Sequence, residues 1–70
     1  MIEGLTGRVK WFDQKRGYGF ILSDDGHEYF FHYSGIMKDG FKTIEDGARV
    51  MFDITNASKG WQAFNILEVG

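Results

Sequence analysis

Apolar and polar residues alternate along short runs separated by turn residues, the period-two signature of half-buried β-strands. The runs predict strands near residues 5–13, 18–23, 28–33, 49–55 and 61–69. DQKRG (13–17) breaks the first from the second. SDDGH (23–27) carries Asp25-Gly26, a hairpin signal between two β-rich runs, and NASKG (56–60) is a second hairpin-like loop. The longest connection, Ser34 to Ala48, contains Gly35, Gly40 and Gly47 and predicts at most one helical turn near Ser34–Met37. Five short strands with one long connection predict a small all-β barrel, of the oligonucleotide-binding or the SH3-like kind.

Alternation also assigns faces. In the fourth run Val50, Phe52 and Ile54 share one side against Met51 and Asp53, so the first set faces the core. In the first run Leu5, Gly7, Val9 and Trp11 oppose Thr6, Arg8, Lys10 and Phe12. The cation-bearing set faces water and takes Phe12 with it. In the third run Tyr29, Phe31 and Tyr33 oppose Glu28, Phe30 and His32, and the charged set again faces out. The second run is apolar on both sides. Tyr18, Phe20 and Leu22 oppose Gly19, Ile21 and Ser23, and hydrophobicity alone favours burying the aromatics. An inward Gly19 fits the crowded bend of a small barrel better. Periodicity leaves this strand's phase open.

Composition narrows the functional classes. Aromatic residues make up 17 % of the chain and there are ten glycines, no proline and no cysteine. Without cysteine there is no disulfide framework. There is no apolar run long enough for a membrane span, and MIEGLTGRVK has no signal-like apolar stretch. The expectation is a cytoplasmic protein that uses no membrane. The formal net charge of −2 argues, by itself, against a phosphate-binding partner. Its distribution argues the other way: residues 1–20 hold four cations against two acids, +2, and residues 21–70 hold four against eight, −4. The positive excess falls where aromatics are densest. No nucleophile–base set, metal-ligand cluster or phosphate-cradling glycine loop is evident, so neither an enzyme, a cofactor nor a small-molecule substrate is expected.

GRVKWFDQKRGYGFI (7–21) resembles the opening of a cold-shock domain, whose usual form is G-x-V-K-W-F-N-x-x-K-G-[FY]-G-F-I. YFFHYSGI (29–36) is similar to that family's V-F-V-H-[FY]-S-A-I, and DGFKTIEDGARVMFDI (39–54) to its G-[FY]-K-[ST]-L-x-E-G-Q-x-V-x-F-x-I. The resemblance runs without a gap from Gly4 to Ile66. It implies one domain over residues 1–70, a five-stranded antiparallel Greek-key barrel of the OB-fold type, that binds single-stranded RNA and DNA.

Carried over by position, the family's stacking surface falls on Trp11, Phe12, Tyr18, Phe20, Phe30, His32, Tyr33 and Phe41, and its cationic contacts on Lys10, Arg16 and Lys59. The resemblance thus points Tyr18 and Phe20 outward. It also moves Trp11 to the binding side despite its shared parity with Val9, which requires a bulge or sharp twist nearby. Arg16 replaces the usual lysine, Asp13 an asparagine and Glu28 an aspartate. Trp61 replaces a proline and Phe64 an alanine, so the core at Phe64 is expected to repack. Trp61 is counted with the binding residues, as a further stacking platform or as a lid over that core. The resemblance implies an RNA chaperone, with roles in transcription antitermination or translation regulation under stress. Strands of about six to eight bases, the usual span of one such barrel, rich in pyrimidines, are expected. A monomer is the default state, with dimerisation the alternative that exposed aromatics leave.

Overall fold

The computed structural model describes residues 1–38, 40 and 42–69, and all statements below concern these. The five strands are β1 (Ile2–Asp13), β2 (Tyr18–Ser23), β3 (Glu28–His32), β4 (Arg49–Ala57) and β5 (Gly60–Glu68). They close in the order β1-β2-β3-β5-β4, with β1 also paired to β4. Four ladders are antiparallel, while a short parallel pairing of Phe30 with Gln62 and Phe31 with Ala63 joins β3 to β5. A three-stranded meander followed by a strand that returns beside the first is a Greek-key path. The expected helical turn is a single 3-10 turn, Tyr33–Gly35.

Val9, Ile21, Phe31, Val50, Phe52, Ile54 and Ile66 fill the interior, joined by Ile36, Ile44 and Ala63. β2 therefore turns Gly19 and Ile21 inward and Tyr18, Phe20 and Leu22 outward. The inward glycine has a steric cause. A Cβ on Gly19 would stand 2.1 Å from the Trp11 carbonyl oxygen and 2.9 Å from Phe12 Cα. Only a hydrogen in place of a side chain lets β1 and β2 approach so closely there.

Two expectations, one from alternation and one from the resemblance, are corrected. Phe12 does not face water with the cations; it packs against the core with its ring stacked on Phe31, centroids 5.5 Å apart at 17°. The β1–β2 register shifts between Val9 and Trp11, and the extra residue reverses the parity beyond it. Phe64 does not enter the core. Ala63 fills the interior position at 1 % exposure, and Phe64 is half-buried on the outer side. Asn65, at φ 50°, then absorbs one residue and returns Ile66 to the interior.

Candidate nucleic-acid interface

The bulge in β1 aims the outer surface. Its free backbone edge is held by residues 46–48: Gly47 N–H donates to the Val9 carbonyl (2.7 Å), Val9 N–H to the Ala48 carbonyl (2.9 Å) and Phe12 N–H to Asp46 Oδ1 (3.0 Å). With the bulge fixed, Trp11 leaves the interior and joins the outward rings of β2. Its centroid lies 5.8 Å from Tyr18 and 5.4 Å from Phe20. Phe30, outward on β3, lies 5.7 Å from Tyr18 and 5.9 Å from Phe20. Trp11, Tyr18, Phe30 and Phe20 therefore form a closed four-ring cluster on the outside of the barrel, each ring partly exposed. Their tilted and edge-on packing is the arrangement aromatic quadrupoles prefer.

A second pair of rings continues the strip. Tyr18 is paired with His32 in the β2–β3 ladder, and His32 lies 4.3 Å from the Tyr33 ring. Tyr33 is 45 % exposed. The first strand-end turn makes room for it. Gly17 has φ 79°, and a Cβ there would stand 2.7 Å from Tyr33 Cδ1, so glycine serves both the left-handed backbone and the close approach. His32 Nδ1 accepts the Ser34 N–H (3.3 Å) and contacts Ser34 Oγ at 2.9 Å. A backbone N–H can only donate, so the neutral ring carries its proton on Nε2, away from the cap.

The cations frame this strip unequally. Lys10 Nζ is held 3.0 Å from Glu28 Oε2. Arg16 Nη1 donates to Tyr18 Oη (3.2 Å), and its Nε lies 3.8 Å from Asp13 Oδ2. The Tyr18 hydrogen bond, with Asp13 beside it, raises the Arg16 pKa above its already high value, so the group stays cationic. Lys59 is exposed in the β4–β5 hairpin and pairs with no carboxylate of the described residues. It lines a groove of about 760 Å³ between this hairpin and the β2–β3 hairpin, together with Phe20, Glu28, Phe30, Trp61 and Gln62. Trp61 is 45 % exposed on that groove, so it is a wall of the groove and not a lid on the core.

Of the residues named from the sequence, Lys10, Trp11, Arg16, Tyr18, Phe20, Phe30, His32 and Tyr33 thus share one surface, and Lys59 and Trp61 border the groove at its end. Phe12 faces the other way, under Phe31. Phe41 lies outside the described residues. Glu28, expected to face out but not counted as a contact, and Gln62, not named, also belong to the surface. Nothing in the sequence signalled Gln62, because Phe64, which shares its parity, was expected in the core, and no pattern announced that Glu28 reaches Lys10. Among the described residues no three His, Asp or Glu side chains gather as a metal site, and no helix is long and apolar enough to cross a membrane.

The profile of the 'cold-shock' DNA-binding domain matches residues 5–69. The chain belongs to the cold-shock domain family. This is a family of nucleic-acid-binding proteins, not of enzymes. The chain is 45 % identical to the cold shock-like protein CspC of Bacillus cereus over 65 residues, covering 93 % of this chain and all of that one. To the cold shock-like protein CspE of Escherichia coli it is 47 % identical over 64 residues, covering 90 % and 93 %. Among solved structures, Drosophila Unr superposes with a TM-score of 0.81 at 18 % identity, covering 99 % of this chain and 28 % of that one. At that identity the likeness concerns the barrel alone. The cold-shock barrel is the one reached above from the strand order.

Proposed function

We propose that this cold-shock domain holds single-stranded RNA or DNA by stacking unpaired bases on Trp11, Tyr18, Phe20, Phe30, His32 and Tyr33, with Trp61 closing one end of the track. The observation that carries the reading is the four-ring cluster, which exposes ring faces that a folded core would otherwise hide. Each base stacked on an aromatic ring contributes roughly 1–3 kcal/mol. Four or five such contacts, less the cost of ordering a flexible strand, place affinity between micromolar and nanomolar. Arg16 and Lys59 follow the backbone, with Lys10 contributing in part because Glu28 holds it, and about two to three neutralised phosphates give a log–log salt slope between about −1.4 and −2. Stacking dominates, so the net charge of −2 is no obstacle.

Duplex hides its base faces, so the protein takes up strands only where they are already open. Capturing bases as they unpair shifts the equilibrium toward open strands without nucleotide hydrolysis, which is how an RNA chaperone works. Antitermination or control of translation follows where a regulatory hairpin is the target. The track favours pyrimidine-rich strands, and the protein acts as a monomer in the cytoplasm. Titrating the fluorescence of Trp11 and Trp61 with octathymidine, and with the same bases paired in a hairpin, tests this. Quenching and much tighter binding are expected for the unpaired strand. Equal affinity for both, or no quenching at tens of micromolar, would contradict the proposal and leave the rings as a surface for a protein partner.

A further inference from the structure

Outward positions on β5 continue past the groove. Gln62 lies beside Phe30 in the parallel ladder, and Phe64, two residues on, shares its face. The 3-10 turn that starts with Tyr33 ends at Gly35 against the Phe64 backbone, where a Cβ would stand 3.2 Å from Phe64 Cα. Beyond this contact is a second groove of about 450 Å³, lined by Ser34, Met37, Lys38, Lys42, Phe64 and Asn65. Its size falls in the roughly 300–1,000 Å³ range of small-ligand sites.

Charge and aromatic surface coincide here. Residues 21–70 contain only four cations, Lys38, Lys42, Arg49 and Lys59, and two of them line this one groove. Lys38 Nζ is held at the rim by Glu68 Oε1 (3.3 Å) and the Thr43 carbonyl (3.1 Å), while Lys42 brings a second ammonium. Asn65 Nδ2 is engaged by Asp53 Oδ2 (3.0 Å), so it takes no part. The resemblance puts alanine at the Phe64 position, and a methyl there could not supply a stacking face. The feature is this chain's own.

We propose that the Phe64 groove is an additional nucleotide subsite, which takes one base of a bound single strand beyond Tyr33. The base lies against Phe64 and its phosphate near Lys42. The inference rests on the ring-strip reading and extends the strip from β3 across the 3-10 turn to β5. Ser34, which follows Tyr33 in the 3-10 turn, lines the groove, and this adjacency commits it to the same strand rather than to a separate ligand.

Affinities for oligothymidines from about four to about ten nucleotides test it, compared among the unaltered protein, Phe64→Ala, Phe64→Trp and Phe30→Ala. Phe64→Ala should match the unaltered protein on short strands. It should then lose about tenfold on strands long enough to fill the groove, with its gain from added length ending one nucleotide earlier. Phe64→Trp should restore the last step. Phe30→Ala should weaken every length. Superposed curves for Phe64→Ala and the unaltered protein would overturn the subsite. So would an equal loss at every length tracking a lowered unfolding midpoint, since Phe64 would then serve the fold alone. Failure of Phe30→Ala to weaken any length would instead overturn the strip itself.

Discussion

Lys10 Nζ donates to Glu28 Oε2 at 3.0 Å, an ion pair that reaches from β1 across β2 to β3. Both side chains are about half exposed, 48 % and 46 %, so the pair adds little to stability. Its consequence is for binding. A lysine already facing a carboxylate neutralises a phosphate less well than a free one.

Glu28→Gln should therefore bind oligothymidine more tightly at low salt. It should also steepen the log–log salt dependence by up to about 0.7, the contribution of one phosphate on a single strand. Dissociation constants over a salt series check this. An unchanged slope would mean that Lys10 makes no phosphate contact.

The outer rings and the inner aliphatics should separate binding from folding. Phe20→Ala and Phe30→Ala should each weaken binding by about 1–3 kcal/mol. Ile54→Ala, at a position 2 % exposed, should lower fold stability by about 2–5 kcal/mol. Urea unfolding beside fluorescence titration gives both quantities for each variant. Global unfolding by either phenylalanine substitution would place that ring in the core.

Gly19→Ala should be costly although it adds one methyl. The new carbon would press on the Trp11 carbonyl and on Phe12 Cα, both backbone, so β1 must move away from β2. Overpacking of this kind typically destabilises by about 1–3 kcal/mol. Because the displaced segment is the bulge that carries Trp11, the tryptophan emission maximum should shift as well. A variant with unaltered emission and stability would show that the two strands have slack.

Acid should loosen the β2–β3 hairpin. Asp24 accepts from Arg49 Nη1 (2.7 Å), Arg49 Nη2 (2.6 Å) and Thr6 Oγ1 (2.6 Å). These hold its carboxyl near pKa 2, the Arg49 hydrogen bonds foremost. Since the folded value lies below the ordinary 3.8, the stabilisation is complete above about pH 4 and is lost as pH falls toward 2. Asp25, also lowered by the His27 N–H, contributes to the same limb. Melting temperatures between pH 7 and pH 2 should fall in that window, and Asp24→Asn should flatten the fall without removing it. An identical profile for the variant would remove the pair from the account.

Strand positions and the β4 core set were readable from alternation because Val50, Phe52 and Ile54 face polar or exposed neighbours on the other side. The phase of β2 was not, since Tyr18 and Phe20 are as apolar as the Ile21 they oppose. Only the resemblance turned them outward, and the steric crowding at Gly19 supplies the reason. Trp11 and Phe12 exchanged sides because a bulge adds one residue, and alternation cannot register an insertion without a partner strand to count against. Phe64 was misplaced for another reason: the family's alanine position was taken as a core position, whereas Ala63 fills the interior and Phe64 lies on the outer side. The Lys10–Glu28 pair joins residues on strands separated by a third, beyond the reach of any local pattern.

An abasic strand tests the central claim most directly, because it keeps every phosphate and removes every base. Its affinity should be compared with that of oligothymidine of equal length at one salt concentration. If stacking on Trp11, Tyr18, Phe20 and Phe30 dominates, the abasic strand should bind at least about a hundredfold more weakly. Affinities equal within a factor of about three would assign the binding to charge and contradict the account.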